Sequence, residues 1–229
     1  MREIRLSQIL VFCLLAGGAV VLGLATAWLV LGRLALGDFR GIVLSVAAVV
    51  SIYLYAILTY RIFLRLFPLE LGEIAEASPQ EFIYHIHLLF FLLLFYPLTR
   101  SGVVPVPLMR LVYLGLGARL GKNTYSSGII FDPLFVVIGD NTIVGQSAVL
   151  VPHAIEGRHL SHAPIRIGSN VTIGVNAVLL GGVVVGDGAI VATGAVVSKG
   201  TQIGPGEIWA GMPARRLKAA AEEPALPGN

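Results

Sequence analysis

Charge is what this 229-residue sequence has least of: Asp, Glu, Lys and Arg make up 13% of it, against 56% hydrophobic residues. A mean hydropathy of +0.84 excludes an ordinary soluble domain and places part of the chain in lipid. Cysteine is nearly absent. The single Cys13 rules out a disulfide within the chain and leaves the redox compartment open. Basic runs are missing as well. The net charge of +3 comes from scattered Lys and Arg with no interleaved aromatics, which argues against a nucleic-acid partner.

What is present falls into two regions. Up to Thr99 the apolar residues stand in long blocks, and from Gly121 onward they alternate with Gly, Asn, Asp, Ser and Thr. Leu6 to Gly32 carries no charge over 27 residues, and Gly41 to Tyr60 none over 20. At about 1.5 Å per helical residue, each block is long enough for a hydrocarbon core of about 30 Å. The expected membrane region is therefore residues 1–104, with spans near 6–32 and 41–60 forming a helical hairpin. Arg2, Arg5 and the Ala25-Thr26-Ala27 run also resemble a cleavable leader, but the apolar block continues past Ala27, which favours a span. The third block, 82–99, contains His85, His87 and Pro97. It reads as interfacial or re-entrant, with a full crossing as the alternative. His85 and His87 are two apart and point to different sides of a helix, so interfacial anchoring is favoured over metal binding. Two spans put Arg2, Arg5, Arg61, Arg65, Arg100 and Arg110 on one side, giving an inner-membrane protein with both termini in the cytoplasm; a third crossing nearly removes that bias. Residues 105–119 read as an amphipathic linker helix, 120–218 as the second domain, and 219–229 as a flexible tail.

In the second domain aliphatic residues recur every six positions. The series is Ile138, Val144 and Leu150, then Ile167, Ile173, Leu179, Val185, Val191, Val197 and Ile203, with Trp209 next. A small residue follows most of them. A six-residue unit cannot bury a core alone, so the hexads must stack as parallel strands about 4.8 Å apart. That predicts a parallel β-helix, with a β-sandwich as the poorer alternative. Leu120 is in phase, whereas Ile129, Ile130 and Phe131 blur the pattern. The phase breaks once, between Leu150 and Ile167, and the intervening loop carries His153, His159 and His162, three of the five histidines. In so regular a scaffold, that loop is the candidate site.

The run from Ile165 to Gly174, the segment Gly194-Ala195-Val196-Val197-Ser198-Lys199 and the ending Ala210-Gly211-Met212-Pro213-Ala214-Arg215 resemble the hexapeptide-repeat acyltransferases. That family includes maltose, galactoside and serine acetyltransferases and many polysaccharide O-acetyltransferases. The resemblance covers roughly Leu120 to Lys218 and implies a left-handed coil, where general crossover rules favour the right hand. It also implies acetyl-CoA or another acyl-CoA as cosubstrate, a homotrimer with sites between subunits, and a catalytic His at the place of His153. That imidazole would act as general base on an acceptor hydroxyl or amine. Glu156 either orients His153 or solvates the loop. Asp132 either caps a turn or faces the acceptor. Gly174, Val175, Thr193, Ser198 and Lys199 would line the pantetheine arm, Val175 N–H would meet the oxyanion, and Arg215 would lie near the nucleotide phosphates; solvated corner charge is the alternative for Lys199 and Arg215. The soluble sugar enzymes lack the apolar half, so a membrane-associated acceptor such as a glycolipid, polysaccharide intermediate or lipid is expected. Two other classes remain. A zinc-dependent carbonic anhydrase on the same scaffold fits poorly, because the three loop histidines are too close in sequence. A non-catalytic trimeric scaffold predicts no thioester turnover.

Overall fold

The computed structural model describes residues 2–218, so the expected tail at 219–229 lies outside the described residues. The chain divides into two compact units. One comprises residues 1–70 and 74–98, the other 71–73 and the chain from Thr99 onward.

The first unit is helical. Helices α1 (Leu6–Leu31) and α2 (Arg40–Leu66) pack along each other, and α3 (Pro79–Arg100) packs against both. All three are long and apolar enough to cross a membrane. The third apolar block, 82–99, lies within one continuous helix that is half buried by its neighbours and long enough for the full crossing kept as the alternative. Its polar residues have partners there. His85 bonds Gln8 on α1 at 3.1 Å, and His87 bonds Tyr60 on α2 at 2.9 Å, both histidines being buried. They point to different sides of α3, and each meets a residue of a neighbouring helix. A wide π turn over Phe91–Phe95 leads into Pro97, where the missing N–H would break regular helical bonding. Ser78 starts the helix by accepting the Glu81 N–H.

The second unit is a parallel β-helix of three-strand coils. After β1 (Gly72–Ile74), the first coil has β2 (Arg119–Leu120), β3 (Tyr125–Ser126) and β4 (Ile129–Ile130); the second has β5 (Val136–Ile138), β6 (Ile143–Val144) and β7 (Val149–Val151). A hairpin of β8 (His153–Glu156) and β9 (His159–His162) then leaves the coil. The third coil follows as β10 (Ile165–Ile167), β11 (Thr172–Ile173) and β12 (Val178–Leu180), the fourth as β13 (Val184–Val185), β14 (Ile190–Val191) and β15 (Val196–Val197). The last strands are β16 (Gln202–Ile203), β17 (Ile208–Gly211) and β18 (Ala214–Lys218), β18 being antiparallel to β17.

Each face of this prism is a sheet running along its axis, ordered β2-β5-β10-β13-β16, β3-β6-β11-β14-β17 and β4-β7-β12-β15. The in-phase aliphatics from Ile138 to Ile203 all point inward and are buried, and Trp209 is partly buried. Burying each is favourable by about 1.5–3 kcal/mol. The blur at Ile129–Phe131 has a local cause. Ile130 pairs with Leu150 while Ser126 pairs with Val144, so the first coil turns two residues early. A 3₁₀ turn at Pro133–Phe135 restores the register. Near that end of the prism, Thr124 and Thr142 replace aliphatics and bond between coils, Thr142 Oγ1 donating to Gly168 O at 2.9 Å.

The linker forms helix α4 (Val106–Leu116), which belongs to the coil unit and closes its first end. Met109 and Tyr113 enter the core, and Arg110 donates to the carbonyls of Gly121 and Thr124 at 2.9 Å each. Burial pushes the Tyr113 phenol up to about 12 despite its hydrogen bonds, so it stays protonated and donates to Gly128 O.

At the corners the coils approach backbone to backbone. A Cβ on Gly186 would lie 2.6 Å from Pro205 N and 2.9 Å from Gly204 C, whereas Gly194, at φ +69°, has open space around it. Gly186→Ala is therefore expected to destabilise the unit by about 1–3 kcal/mol, the cost of overpacking. Gly194→Asn should change it far less, because Asn tolerates the left-handed region. Thermal unfolding of both variants checks this; equal shifts would refute it.

Candidate active site

The hairpin leaves the prism at a corner where Pro152 O lies against Gly181, and Gly200 N–H bonds Gly181 O at 3.0 Å. His153 is its first strand residue and stands opposite His162. Its Nδ1 meets Asp132 Oδ2 at 2.5 Å; the two side chains are 21% and 4% exposed. A carboxylate only accepts, so Nδ1 carries the proton and donates, leaving the Nε2 lone pair on the outer edge of the ring. The Phe131 ring packs edge-on against the imidazole, with centroids 5.8 Å apart. Burial lowers the His153 pKa, but the hydrogen bond and charge of Asp132 raise it more, so it rests above its ordinary value.

Asp132 sits where the first coil turns early, at φ +42° and ψ +62°, a backbone region that Asp and Asn enter more readily than most residues. The sequence left its role open between turn and acceptor. It ends up in the turn and against His153. The signal available was its place beside Pro133 in the hexads that lose phase.

Glu156 does not occupy the orienting position. It lies at the exposed tip of the hairpin and pairs with Lys199 at 2.9 Å, and that hydrogen bond holds its carboxyl below the usual range. His159 donates to Glu73 Oε1 at 2.7 Å on β1, which lies beside β9. His162 is buried against Phe135, with ring centroids at 4.9 Å. The three loop histidines thus face separate partners. Among the described residues no group of three His, Cys, Asp or Glu is placed to hold a metal ion.

The remaining expected site residues divide between two corners. Ser198 and Lys199 share the hairpin's corner, through the Glu156–Lys199 pair. Gly174, Val175 and Thr193 stack at the next corner, where a Cβ on Gly174 would touch Thr193 N and Gly194 N–H bonds Val175 O at 2.9 Å. The face containing β12 and β15 lies between them. Among the described residues no hydrogen bond uses the Val175 N–H, and Val175 is exposed. Arg215 is on β18 opposite Ala210, with Nη1 donating to Ala214 O at 3.1 Å. One chain therefore does not gather all of these residues around His153.

No curated protein matches the chain significantly. A hexapeptide-repeat acetyltransferase from Vibrio cholerae is 26% identical over 47% of this chain and 65% of its own, with a TM-score of 0.44. A complex with acetyl coenzyme A from Vibrio cholerae O1 biovar eltor is 28% identical over 47% and 63%, with a TM-score of 0.43. Serine acetyltransferase from Brucella abortus strain S19 is 21% identical over 89% of this chain and 69% of its own, with a TM-score of 0.39. The chain thus spans just under two thirds of the first two proteins. Residues 164–199 match the family model described as bacterial transferase hexapeptide (six repeats). Residues 164–199, the two coils that follow the His153 hairpin, are therefore similar to the hexapeptide repeats of bacterial transferases.

Proposed function

We propose that this chain is a membrane-bound acyltransferase that moves an acetyl or other acyl group from acyl-CoA to a hydroxyl or amine of a membrane-associated acceptor. The observation that carries this reading is the Asp132–His153 pair at the edge of bacterial transferase hexapeptide coils. Neutral His153 takes the acceptor proton on Nε2 while the acceptor atom attacks the thioester carbonyl carbon. The carbon–sulfur bond then breaks, and the thiolate leaves with the proton from the imidazolium. Asp132 fixes the tautomer and steadies the transient positive charge, as an acidic partner does in other nucleophile–His sites. The unused Val175 N–H is a suitable oxyanion donor. Gly174, Thr193, Ser198 and Lys199 would line the pantetheine arm, with Arg215 near the phosphates.

The split of these residues between two corners supports a homotrimer in which a neighbouring copy completes each site. An exposed column on one face fits that arrangement. Tyr125, Ile143 and Ile190 are 36%, 58% and 40% exposed and fall in register through Thr172, an apolar stripe that a second copy would cover. The three apolar helices support anchoring in the cell's inner membrane, with the coils on the cytoplasmic side where acyl-CoA is made. The same-side arrangement of the termini is the expectation from two spans; a third crossing reverses the side of the N-terminus.

Replacing His153 with Ala should lower acyl-CoA-dependent thiol release by ~10²- to 10⁴-fold with the fold intact. Near-normal turnover would overturn the assignment. Because the His153 pKa is raised, its imidazole should titrate above about 6.5 by NMR, and the base should be lost as pH falls through that higher value. Asp132→Asn keeps the backbone preference but removes the charge, so burial should then bring the midpoint down. An unchanged midpoint would show that Asp132 does not govern it.

Topology has its own check. In a Cys13→Ser background, Gln202→Cys on the exposed surface of the last coils should resist an impermeant thiol reagent in intact cells. Labelling there would put the coils outside. For the acceptor, intact enzyme in vesicles should prefer lipid extracts. A fragment lacking residues up to Val104 that is fully active on a small soluble sugar or amine, together with no lipid preference in the intact enzyme, would reject a membrane acceptor.

A further inference from the structure

In the helical unit a polar cavity and an apolar groove meet. The cavity, about 290 Å³, is lined by Arg5, Gln8, Ser78 and Glu81 among others. The groove, about 380 Å³, is lined by Val11, Phe63, Phe67, Pro79, Phe82 and Ile83. Pro79 and Phe82 line both, so the polar cavity and the apolar groove adjoin at those two side chains.

Gln8 is 3% exposed. Its Oε1 accepts the Arg5 N–H at 2.6 Å and faces His85 Nδ1 at 3.1 Å. The backbone donor identifies that atom as the oxygen, which leaves Nε2 with two N–H groups. Among the described residues Nε2 has no acceptor, and Gln8 lines the cavity. The carboxylate there is already matched. Glu81 Oε1 meets Arg2 at 3.1 Å, and Oε2 accepts the Ala77 N–H at 2.6 Å. Arg5 is exposed, and among the described residues its guanidinium is in none of the ion pairs.

A cation and an amide donor open to the cavity, neither with a protein acceptor among the described residues, suit a group with several anionic oxygens. The adjoining groove offers only apolar surface, which suits an aliphatic chain. We propose that the adjoining cavity and groove bind one anionic phospholipid, its phosphate at Arg5 and Gln8 and one acyl chain along Val11, Phe63, Phe82 and Ile83. The order is the one a bilayer imposes. Arg5 precedes the first apolar residue of α1, and Val11 lies about 9 Å deeper at about 1.5 Å per residue. The site rests on the reading of α1 to α3 as membrane-crossing helices, not on the acyltransferase reading.

The test reconstitutes the full chain in vesicles of equal parts phosphatidylcholine and phosphatidylglycerol, extracts it into mild detergent, and identifies retained lipid by native mass spectrometry. Phosphatidylglycerol should be retained over phosphatidylcholine. Arg5→Gln should reduce its retention about tenfold, the effect of losing one charge-assisted contact. Val11→Trp, which fills the groove, should remove it while circular dichroism shows the helices intact. Equal retention of the two lipids, or unchanged retention in both variants, would overturn the site. Protein that never enters the vesicles would overturn the membrane reading beneath it.

Discussion

Each coil hands its backbone hydrogen bonds to the next, and the placement of the candidate site follows from that exchange. Gly139 N–H reaches Ile167 O, Gly168 N–H reaches Val185 O, and Gly186 N–H reaches Ile203 O, each at 2.8 Å. Such a ladder fixes the coil length, because a single extra residue would turn an inward side chain outward and leave paired groups unsatisfied. Extra chain must therefore leave the prism altogether. Ile167 follows Leu150 by 17 positions where one hexad step needs six, and the surplus becomes the β8–β9 hairpin. His153 is held at a corner because its backbone is still tied to a rigid coil at one end.

The same ladder explains what the sequence disclosed. Ile167, Ile173 and Leu179 announce three faces because each must fill the interior at a fixed interval, and the broken interval marks the hairpin directly. Asp132 was harder to place. Its contact with His153 joins residues 21 apart, through a coil whose early turn at Ile130 hides the period. Glu156 looked equally able to orient the imidazole, since sequence distance says nothing about which way a hairpin tip points. In the helical unit, His85, His87 and Pro97 lowered the apparent fitness of the third segment for lipid. Their partners, Gln8 and Tyr60, lie on other helices and could not be read from local pattern.

The two units handle polar groups in opposite ways. Inside the coils, Thr124 and Thr142 complete the backbone ladder, and at the hairpin a titratable pair gathers under partial burial. That concentration of charge on one corner makes His153 chemically distinct from His159, whose exposed partner Glu73 leaves it near solvent. Among the helices, the polar residues instead sit between apolar surfaces and tie α3 to its neighbours. A polar contact there has little competition from water, so it specifies pairing as well as adding stability.

The partly covered ends of the prism bear on its behaviour in a crowded cell. A parallel β-helix cut off at a bare coil presents a row of unpaired N–H and C=O groups, a template on which another molecule's coils can continue the stack into a fibre. Here Arg110 occupies carbonyls of the first coil while Tyr113 plugs its interior. At the other end β18 folds back antiparallel on β17, reversing the direction that a further parallel strand would need. Lateral association remains open to this protein, whereas end-to-end growth is opposed at the first coil and on the face that carries β18.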